Sequence, residues 1–162
     1  MKILVCGGSF VGRATPESGG DITPKEMARA TYERKFVSDY LDKMHAATPI
    51  TQLIGGKEGG AERIGLHWAR VNQIPISEWN RRKFPKLSLL SPMKLLGKKT
   101  RSSHHTLESR EARNARMLAG SQADLVLAFS GGPTTKILVD DARNKGLRVV
   151  EIEIPEFSQE TL

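Results

Sequence analysis

The sequence predicts an α/β fold, a three-layer sandwich in which helices cover both faces of a central, mostly parallel β-sheet. Segments typical of strands alternate with segments typical of helices, which is the pattern of βαβ crossovers. Three of the apolar strand segments also end in a Gly-Gly step, at Gly7-Gly8, Gly55-Gly56 and Gly131-Gly132. Loops without side chains at the carboxyl ends of parallel strands let backbone N–H groups approach a phosphate.

Capping signals define several element boundaries. Thr23, followed by Pro24 and Glu26, is the pattern of an N-cap, a first-turn proline and a capping box. Gly120 and Gly146 are typical of helix C-terminal ends. The predicted elements in chain order are strand 3–6, helix 24–47, strand 50–54, helix 61–71, strand 74–76, helix 108–118, strand 124–129, helix 135–144 and strand 147–152.

Length and composition favour one soluble domain. The chain has 162 residues, 38% hydrophobic and 27% charged, so we predict a single domain over 1–162. No apolar run approaches the roughly 20 residues that cross a bilayer, and we expect no membrane partner. The single cysteine, Cys6, ends a strand, which favours a small buried core residue over a nucleophile and predicts a cytoplasmic protein.

The segment 79–107 is a basic insert. It contains no Asp or Glu and carries eight Lys and Arg residues, more than the whole-chain net charge of +7. It could be a lid over a phosphate-bearing ligand, a nucleic-acid-binding patch, or a solvated loop. Its aliphatic residues between 87 and 96 favour burial against the domain or a second subunit. His104-His105 has no Cys or carboxylate at metal spacing, so we predict no metal site.

The loop 55–63 lies between a predicted strand and a predicted helix. Its glycines permit positive φ, and the following helix N-terminus carries about half a positive charge, so the loop is a candidate anion site. A turn without a ligand is the alternative. The spacing matches neither the Walker A motif nor GxGxxG, which disfavours ATP hydrolysis and ordinary NAD binding.

The loop 130–135 is a second candidate anion site, again between a strand and a helix. Ser130, Thr134 and Thr135 add hydroxyl donors to the backbone amides of Gly131 and Gly132. N-capping by Thr134 would account for one of these hydroxyls without a ligand. It would not account for the two glycines.

Taken in order, these motifs resemble the SLOG superfamily. The matching blocks are Gly7-Gly8, Gly-Gly-x-x-Gly-Gly-Ala-Glu-Arg at 55–63, Arg113-Asn114-Ala115-Arg116-Met117-Leu118, and Leu-Ala-Phe-Ser-Gly-Gly-x-x-Thr at 127–135. The sequence is most similar to the YspA-type branch, and the LOG cytokinin-activating phosphoribohydrolases are more distant. The resemblance implies a Rossmann-like sheet that binds a nucleotide or nucleotide derivative, and a homo-oligomer.

The resemblance also implies a separate role for each loop of the site. Residues 7–9 would border the base or ribose, 55–63 and 130–135 would hold phosphate, and Arg113 would supply a fixed positive charge. Arg110 and Arg116, at three-residue spacing from Arg113, are expected to be solvated surface charges. The predicted nucleotide-binding residues are Gly7, Gly8, Ser9, Gly55, Gly56, Lys57, Gly59, Gly60, Glu62, Arg63, Arg113, Asn114, Ser130, Gly131, Gly132, Thr134 and Thr135.

Catalysis is an open alternative. The LOG relatives hydrolyse the N-glycosidic bond of nucleoside 5′-monophosphates with an Arg and a Glu. Arg113 stands where that Arg would be, but Leu138 stands at the position of the Glu, and Glu58 or Glu62 would have to substitute. The predicted catalytic residues are therefore Arg113 and Glu62.

We expect a nucleotide-binding sensor or sequestering protein without a cofactor. The first alternative is an N-glycosidic hydrolase, and the second is nucleic-acid binding through 79–107.

Overall fold

A computed structural model describes residues 1–16, 19–85 and 105–158 of the chain. The elements in chain order are β1 (Lys2–Cys6), α1 (Pro24–Ala47), β2 (Gln52–Gly55), α2 (Gly60–Val71), β3 (Ile76–Glu78), β4 (Lys83–Pro85), β5 (His105–Leu107), α3 (Arg110–Gly120), β6 (Leu125–Phe129), α4 (Pro133–Asn144) and β7 (Arg148–Ile152).

Within the described residues, five parallel strands form the main sheet in the order β3-β2-β1-β6-β7. The chain leaves β1 towards β2 on one side and later returns to the other side of β1 through β6. The strand order therefore reverses between β1 and β6, which is the topological switch point of an open α/β sheet. The predicted α/β sandwich with a Rossmann-like parallel sheet is confirmed.

Alternating side chains of β1 divide the core into two layers. Ile3 and Val5 pack with α1 and α2, whereas Leu4 and Cys6 pack with α3 and α4. Every residue of β6 is buried, because helices cover both of its faces. Cys6 is 2% exposed, which confirms it as a core residue, and burial raises the pKa of its thiol far above the usual range.

The predicted capping box at the start of α1 is confirmed. The N–H of Thr23 donates to Glu26 Oε2 at 2.6 Å, and the N–H of Glu26 donates to Thr23 Oγ1 at 3.3 Å. Several other boundaries differ from the prediction, such as the start of β2 at Gln52 rather than 50, and three of the differences have a clear local cause. The third strand begins at Ile76 rather than 74, because Pro75 lacks an N–H and the chain turns at Gln73, where φ is 57°.

Two helices are also displaced from their predicted starts. α3 begins at Arg110 rather than 108 because Ser109 is the N-cap, its hydroxyl accepting from the N–H of Ala112 at 3.1 Å. α4 begins at Pro133 rather than 135, since proline suits the first helical turn. Its N-cap is Gly132, so the alternative of N-capping by Thr134 is wrong.

The ends of the basic insert pair with each other. β4 and β5 form a two-stranded antiparallel ladder that aligns Lys83 with Leu107 and Pro85 with His105. The aliphatic residues between 87 and 96 and His104 lie outside the described residues, as do the cations from Lys86 to Arg101. Among the helices of the described ranges, none combines the length and apolar character needed to cross a membrane.

Candidate functional site

A cleft of about 560 Å³ opens at the carboxyl ends of β1 and β6. We call it the switch-point cleft. The N–H of Gly8 donates to the carbonyl of Ser130 at 2.8 Å, so the loops that follow these two strands are joined beside it. Its lining residues come from four segments, together with Arg29 and Glu33 of α1. They are residues 6–11 at the end of β1 and after it, Glu58, Gly59 and Glu62 at the start of α2, Arg110, Arg113 and Asn114 on α3, and 130–135 with Leu138 in the β6–α4 region.

A buried ion pair lies in the wall of this cleft. Arg113 on α3 and Glu62 on α2 are 3% and 7% exposed. Arg113 Nη1 lies 3.1 Å from Glu62 Oε1 and 3.2 Å from Oε2, and the N–H of Gly56 donates to Oε2 at 3.1 Å. The two predicted catalytic residues, Arg113 from the resemblance and Glu62 as a substitute for the missing carboxylate, are thus in direct contact, although 51 positions separate them in the chain.

Burial and ion pairing shift the pKa of Glu62 in opposite directions. Desolvation raises the pKa of its carboxyl above the usual 4.5, and the charge and hydrogen bond of Arg113 oppose that rise. The net effect is a raised pKa, so Glu62 loses its proton at a higher pH than an exposed glutamate does. A carboxyl tuned in this direction can exchange a proton nearer to neutral pH, as general acids and bases do.

Two glycines of the 55–63 loop are required by contacts within the protein. A Cβ at Gly56 would lie 2.5 Å from both Arg113 Nη1 and Glu62 Oε2. A Cβ at Gly60 would overlap the carbonyl oxygen of Gly8, and Gly60 also has φ of 58°. Glycine at these positions is therefore explained by the ion pair and by the close approach of α2 to the loop after β1.

The structure separates the predicted nucleotide-binding residues into two groups. Those that line the switch-point cleft are Gly7, Gly8, Ser9, Gly59, Glu62, Arg113, Asn114, Ser130, Gly131, Gly132, Thr134 and Thr135. Those that do not line it are Gly55, Gly56, Lys57, Gly60 and Arg63. Lys57 Nζ instead lies 2.5 Å from Glu78 Oε2, and the side chain of Arg63 is exposed on α2.

The start of α4 presents hydrogen-bonding groups to the cleft. Its N-cap, Gly132, has no side chain that could cap the helix. Thr134 Oγ1 donates to Glu111 Oε1 at 3.2 Å, and Ser130 Oγ accepts from the N–H of Ile154 at 2.9 Å, which leaves the Ser130 hydroxyl proton free to donate elsewhere. A helix N-terminus with adjacent hydroxyls favours an anionic group.

Sequence reasoning missed several cleft residues. Arg29 and Glu33 lie on α1, and Phe10 is 66% exposed at the cleft. Arg110, expected to be a solvated surface charge, lines the cleft, and its Nε lies 3.0 Å from Glu58 Oε2. Arg81 from the basic insert binds the other oxygen of Glu58 at 3.3 Å. The three-residue spacing from Arg113 was the available signal for Arg110.

Arg116 is not a solvated surface charge either. Its guanidinium donates to Glu108 through Nε at 3.1 Å and through Nη2 at 2.7 Å, and its Cζ lies 5.3 Å from the ring centre of Trp79. The N–H of Arg82 donates to Glu108 Oε2 at 2.9 Å. Glu108 therefore ties α3 to the residues that lead into β4.

Acid should weaken this connection in a defined window. The hydrogen bonds from Arg116 and from the N–H of Arg82 lower the pKa of Glu108 from 4.5 to about 2. As the pH falls, the unfolded chain binds a proton at this carboxyl before the folded chain does. The stabilising contribution of the ionised carboxylate is therefore complete above pH 4.5 and is lost as the pH falls towards 2. Glu108→Gln should show a smaller loss of stability over this window than the wild type, measured by urea unfolding at each pH. Glu153→Gln, on an exposed glutamate, is the control, and equal pH profiles for Glu108→Gln and wild type would contradict the assignment.

The comparisons with known proteins assign no family to this chain, so its class rests on its fold and its site. The chain matches no family model and no curated protein. It is an α/β protein with a Rossmann-like parallel sheet and a polar cleft at the switch point of that sheet. Within the described residues, no group of three or more His, Cys, Asp or Glu side chains is placed to hold a metal ion.

Proposed function

We propose that this protein binds a nucleotide or a nucleotide-derived small molecule in the switch-point cleft, as a sensor or a sequestering protein. The observation that carries the proposal is the cleft itself, which lies at the switch point, where open α/β sheets bind their ligands. Its volume is within the range of about 300–1,000 Å³ that is usual for small-molecule sites. The order of motifs that resembles the SLOG superfamily also supports it.

The groups around the cleft support an anionic ligand. Thr135 at the N-terminus of α4 can donate a hydrogen bond to a phosphate through its hydroxyl, and the guanidinium of Arg110 is close by with 47% of its side chain exposed. Arg113 contributes positive charge that Glu62 offsets in part. Gly7 and Gly8 line the cleft at the carboxyl end of β1, where a base or a ribose would lie.

The phosphate contact can be tested with paired ligands. We expect nucleoside monophosphates of at least one base to raise the melting temperature and the corresponding nucleosides to leave it unchanged. Thr135→Val should weaken nucleotide binding about tenfold or more, because a hydrogen bond to a charged group contributes about 1.5–3 kcal/mol. Isothermal titration calorimetry measures the affinity, and Thr31→Val, on the exposed side of α1, is the matched control. Equal affinity for nucleoside and nucleotide would contradict the proposal.

A second candidate function is N-glycosidic hydrolysis, which the contact between Glu62 and Arg113 favours. Cleavage of the bond between C1′ and the base passes through an oxocarbenium-like state that a nearby carboxylate stabilises. Glu62 lies in the cleft wall and would take a proton from the attacking water while the water oxygen bonds to C1′ and the base leaves with the bonding electron pair. Leu138 also lines the cleft, so a carboxylate on α2 would act where α4 offers none.

Chromatography for free base separates the two candidates. The enzyme would release base from a nucleoside monophosphate, and Glu62→Gln would stop the release while the variant still binds the nucleotide. Loss in Glu58→Gln and not in Glu62→Gln would assign the carboxylate to Glu58. Binding without release by the wild type would favour the sensor or sequestering protein.

Three further expectations stay predictions. Nucleic-acid binding through 79–107 and its action as a lid both depend on cations that mostly lie outside the described residues. Of those within them, Arg81 is already paired with Glu58 and hydrogen-bonded to the carbonyl of Glu108. The homo-oligomer rests on the resemblance alone.

A further inference from the structure

A second cavity, of about 420 Å³, adjoins the switch-point cleft. We call it the side cavity. It lies between the first half of α1 and residues 154–157, which follow β7. Val11, Arg29, Glu33 and Ser130 line both spaces, so the two spaces meet at these four residues. A ligand that fills the cleft can therefore extend past these four residues.

The junction between the two spaces offers phosphate-binding chemistry. The charge of Arg29 is incompletely paired. Its Nε is buried without a hydrogen-bond acceptor among the described residues and lies 4.0 Å from Glu33 Oε1, while Nη2 donates to Thr15 Oγ1 at 3.3 Å. Ser130 Oγ accepts the N–H of Ile154 and still has its own proton to donate. A cation and a hydroxyl donor that line both spaces suit a phosphate bound where the spaces meet.

The side cavity itself is lined by a different set of groups. Ile154, Pro155 and Phe157 form an apolar surface, and Phe157 is held in place by Tyr32, with ring centres 5.7 Å apart. Glu156 contributes an exposed carboxylate. An apolar surface beside carboxylate acceptors suits a sugar, whose C–H face packs against the ring and whose hydroxyls donate to the carboxylate.

We infer that the ligand has two parts, a nucleoside phosphate in the switch-point cleft and a hydroxylated sugar group in the side cavity, joined by a phosphate at Arg29 and Ser130. This is the chemical class of nucleoside diphosphate sugars. The inference rests on the proposed function, and it adds the second half of the ligand and the residues 154–157 that would select it.

Calorimetry with three ligands per base tests the inference. For each of the four bases, the nucleoside monophosphate, the diphosphate and the diphosphate glucose are titrated into the full chain. For at least one base, the diphosphate glucose should bind at least tenfold more tightly than the diphosphate. Glu156→Gln should remove most of that gain and leave monophosphate binding unchanged. Phe157→Ala should do the same, and Glu153→Gln, three residues earlier and outside both spaces, should change nothing.

The outcomes distinguish this inference from the function on which it rests. If the diphosphate binds as tightly as the diphosphate glucose for every base, or if Glu156→Gln and Phe157→Ala leave the tenfold gain intact, the two-part ligand is wrong and nucleotide binding stands. If none of the twelve nucleotides binds, the proposed function fails and the inference fails with it. Melting temperatures of the variants identify any loss that comes from unfolding.

Discussion

Arg113→Met is expected to lower the free energy of unfolding by about 3–5 kcal/mol at neutral pH, the range observed when one partner of a buried ion pair is removed. Methionine keeps much of the apolar volume of the arginine side chain but leaves the Glu62 carboxylate buried without its cation. Gly56 can still donate one hydrogen bond to that carboxylate. One amide does not replace a guanidinium, so the cost should be close to that of an unpaired buried charge.

The stability that Arg113→Met loses should increase with pH. The pKa of Glu62 is already raised in the folded protein, and the loss of Arg113 raises it further. As the pH rises above 4.5, the unfolded chain loses this proton before the folded chain does, so the free energy of unfolding falls with rising pH. Urea unfolding should therefore show a larger deficit for Arg113→Met at pH 8 than at pH 5.

Two variants test the explanation. Adding Glu62→Gln to Arg113→Met should recover most of the lost stability, because it removes the unpaired charge. Arg110→Met removes an exposed ion pair with Glu58 and should cost about 1 kcal/mol or less. If Arg113→Met were as stable as Arg110→Met, the buried pair would not have the importance assigned to it.

Gly60→Ala should be the most damaging glycine substitution, with an expected loss of about 2–5 kcal/mol from the left-handed backbone and the overlap with the Gly8 carbonyl together. The contact is between two backbones, so no side chain can rotate to relieve it. α2 would have to move away from the loop after β1, and Glu62 would move with it. Nucleotide binding should fall along with stability.

Gly20→Ala is the control for this experiment. Among the described residues, nothing lies within 4 Å of a Cβ at Gly20, so alanine should leave the thermal unfolding temperature nearly unchanged. The measurement is calorimetric unfolding of both variants beside the wild type. A Gly60→Ala protein that unfolds at the wild-type temperature would mean that α2 and the β1 loop do not meet as described.

The order of strands and helices could be predicted because each signal is local. The capping box at Thr23 depends on residues within three positions, and the strands β1 and β6 are marked by continuous apolar segments. The start of β3 was misplaced because apolar residues flank Pro75, while its position depends on pairing with β2. Local pattern could not supply that partner.

The site was predicted less completely, for two physical reasons. Glycine serves equally where a ligand approaches the backbone and where another part of the protein does, so the sequence could not show that Gly56 and Gly60 meet protein groups. Arg29 and Glu33 have the spacing of an exposed helix face, and they line the cleft only because the topology brings α1 beside the switch point. The contact between Glu62 and Arg113 likewise depends on two helices that meet across the end of the sheet.

The backbone contact between Gly8 and Gly60 also affects how the cleft meets a ligand. Gly8 approaches α2 through its carbonyl and donates its N–H to Ser130, so three loops from different crossovers are held together without any intervening side chain. Such walls are preorganised: they have few rotamers to lose on binding, and the ordering cost of about 0.5–1.5 kcal/mol per immobilised side chain is largely avoided. Because the cleft does not have to rearrange, we expect a ligand to associate fast and to be selected by its shape.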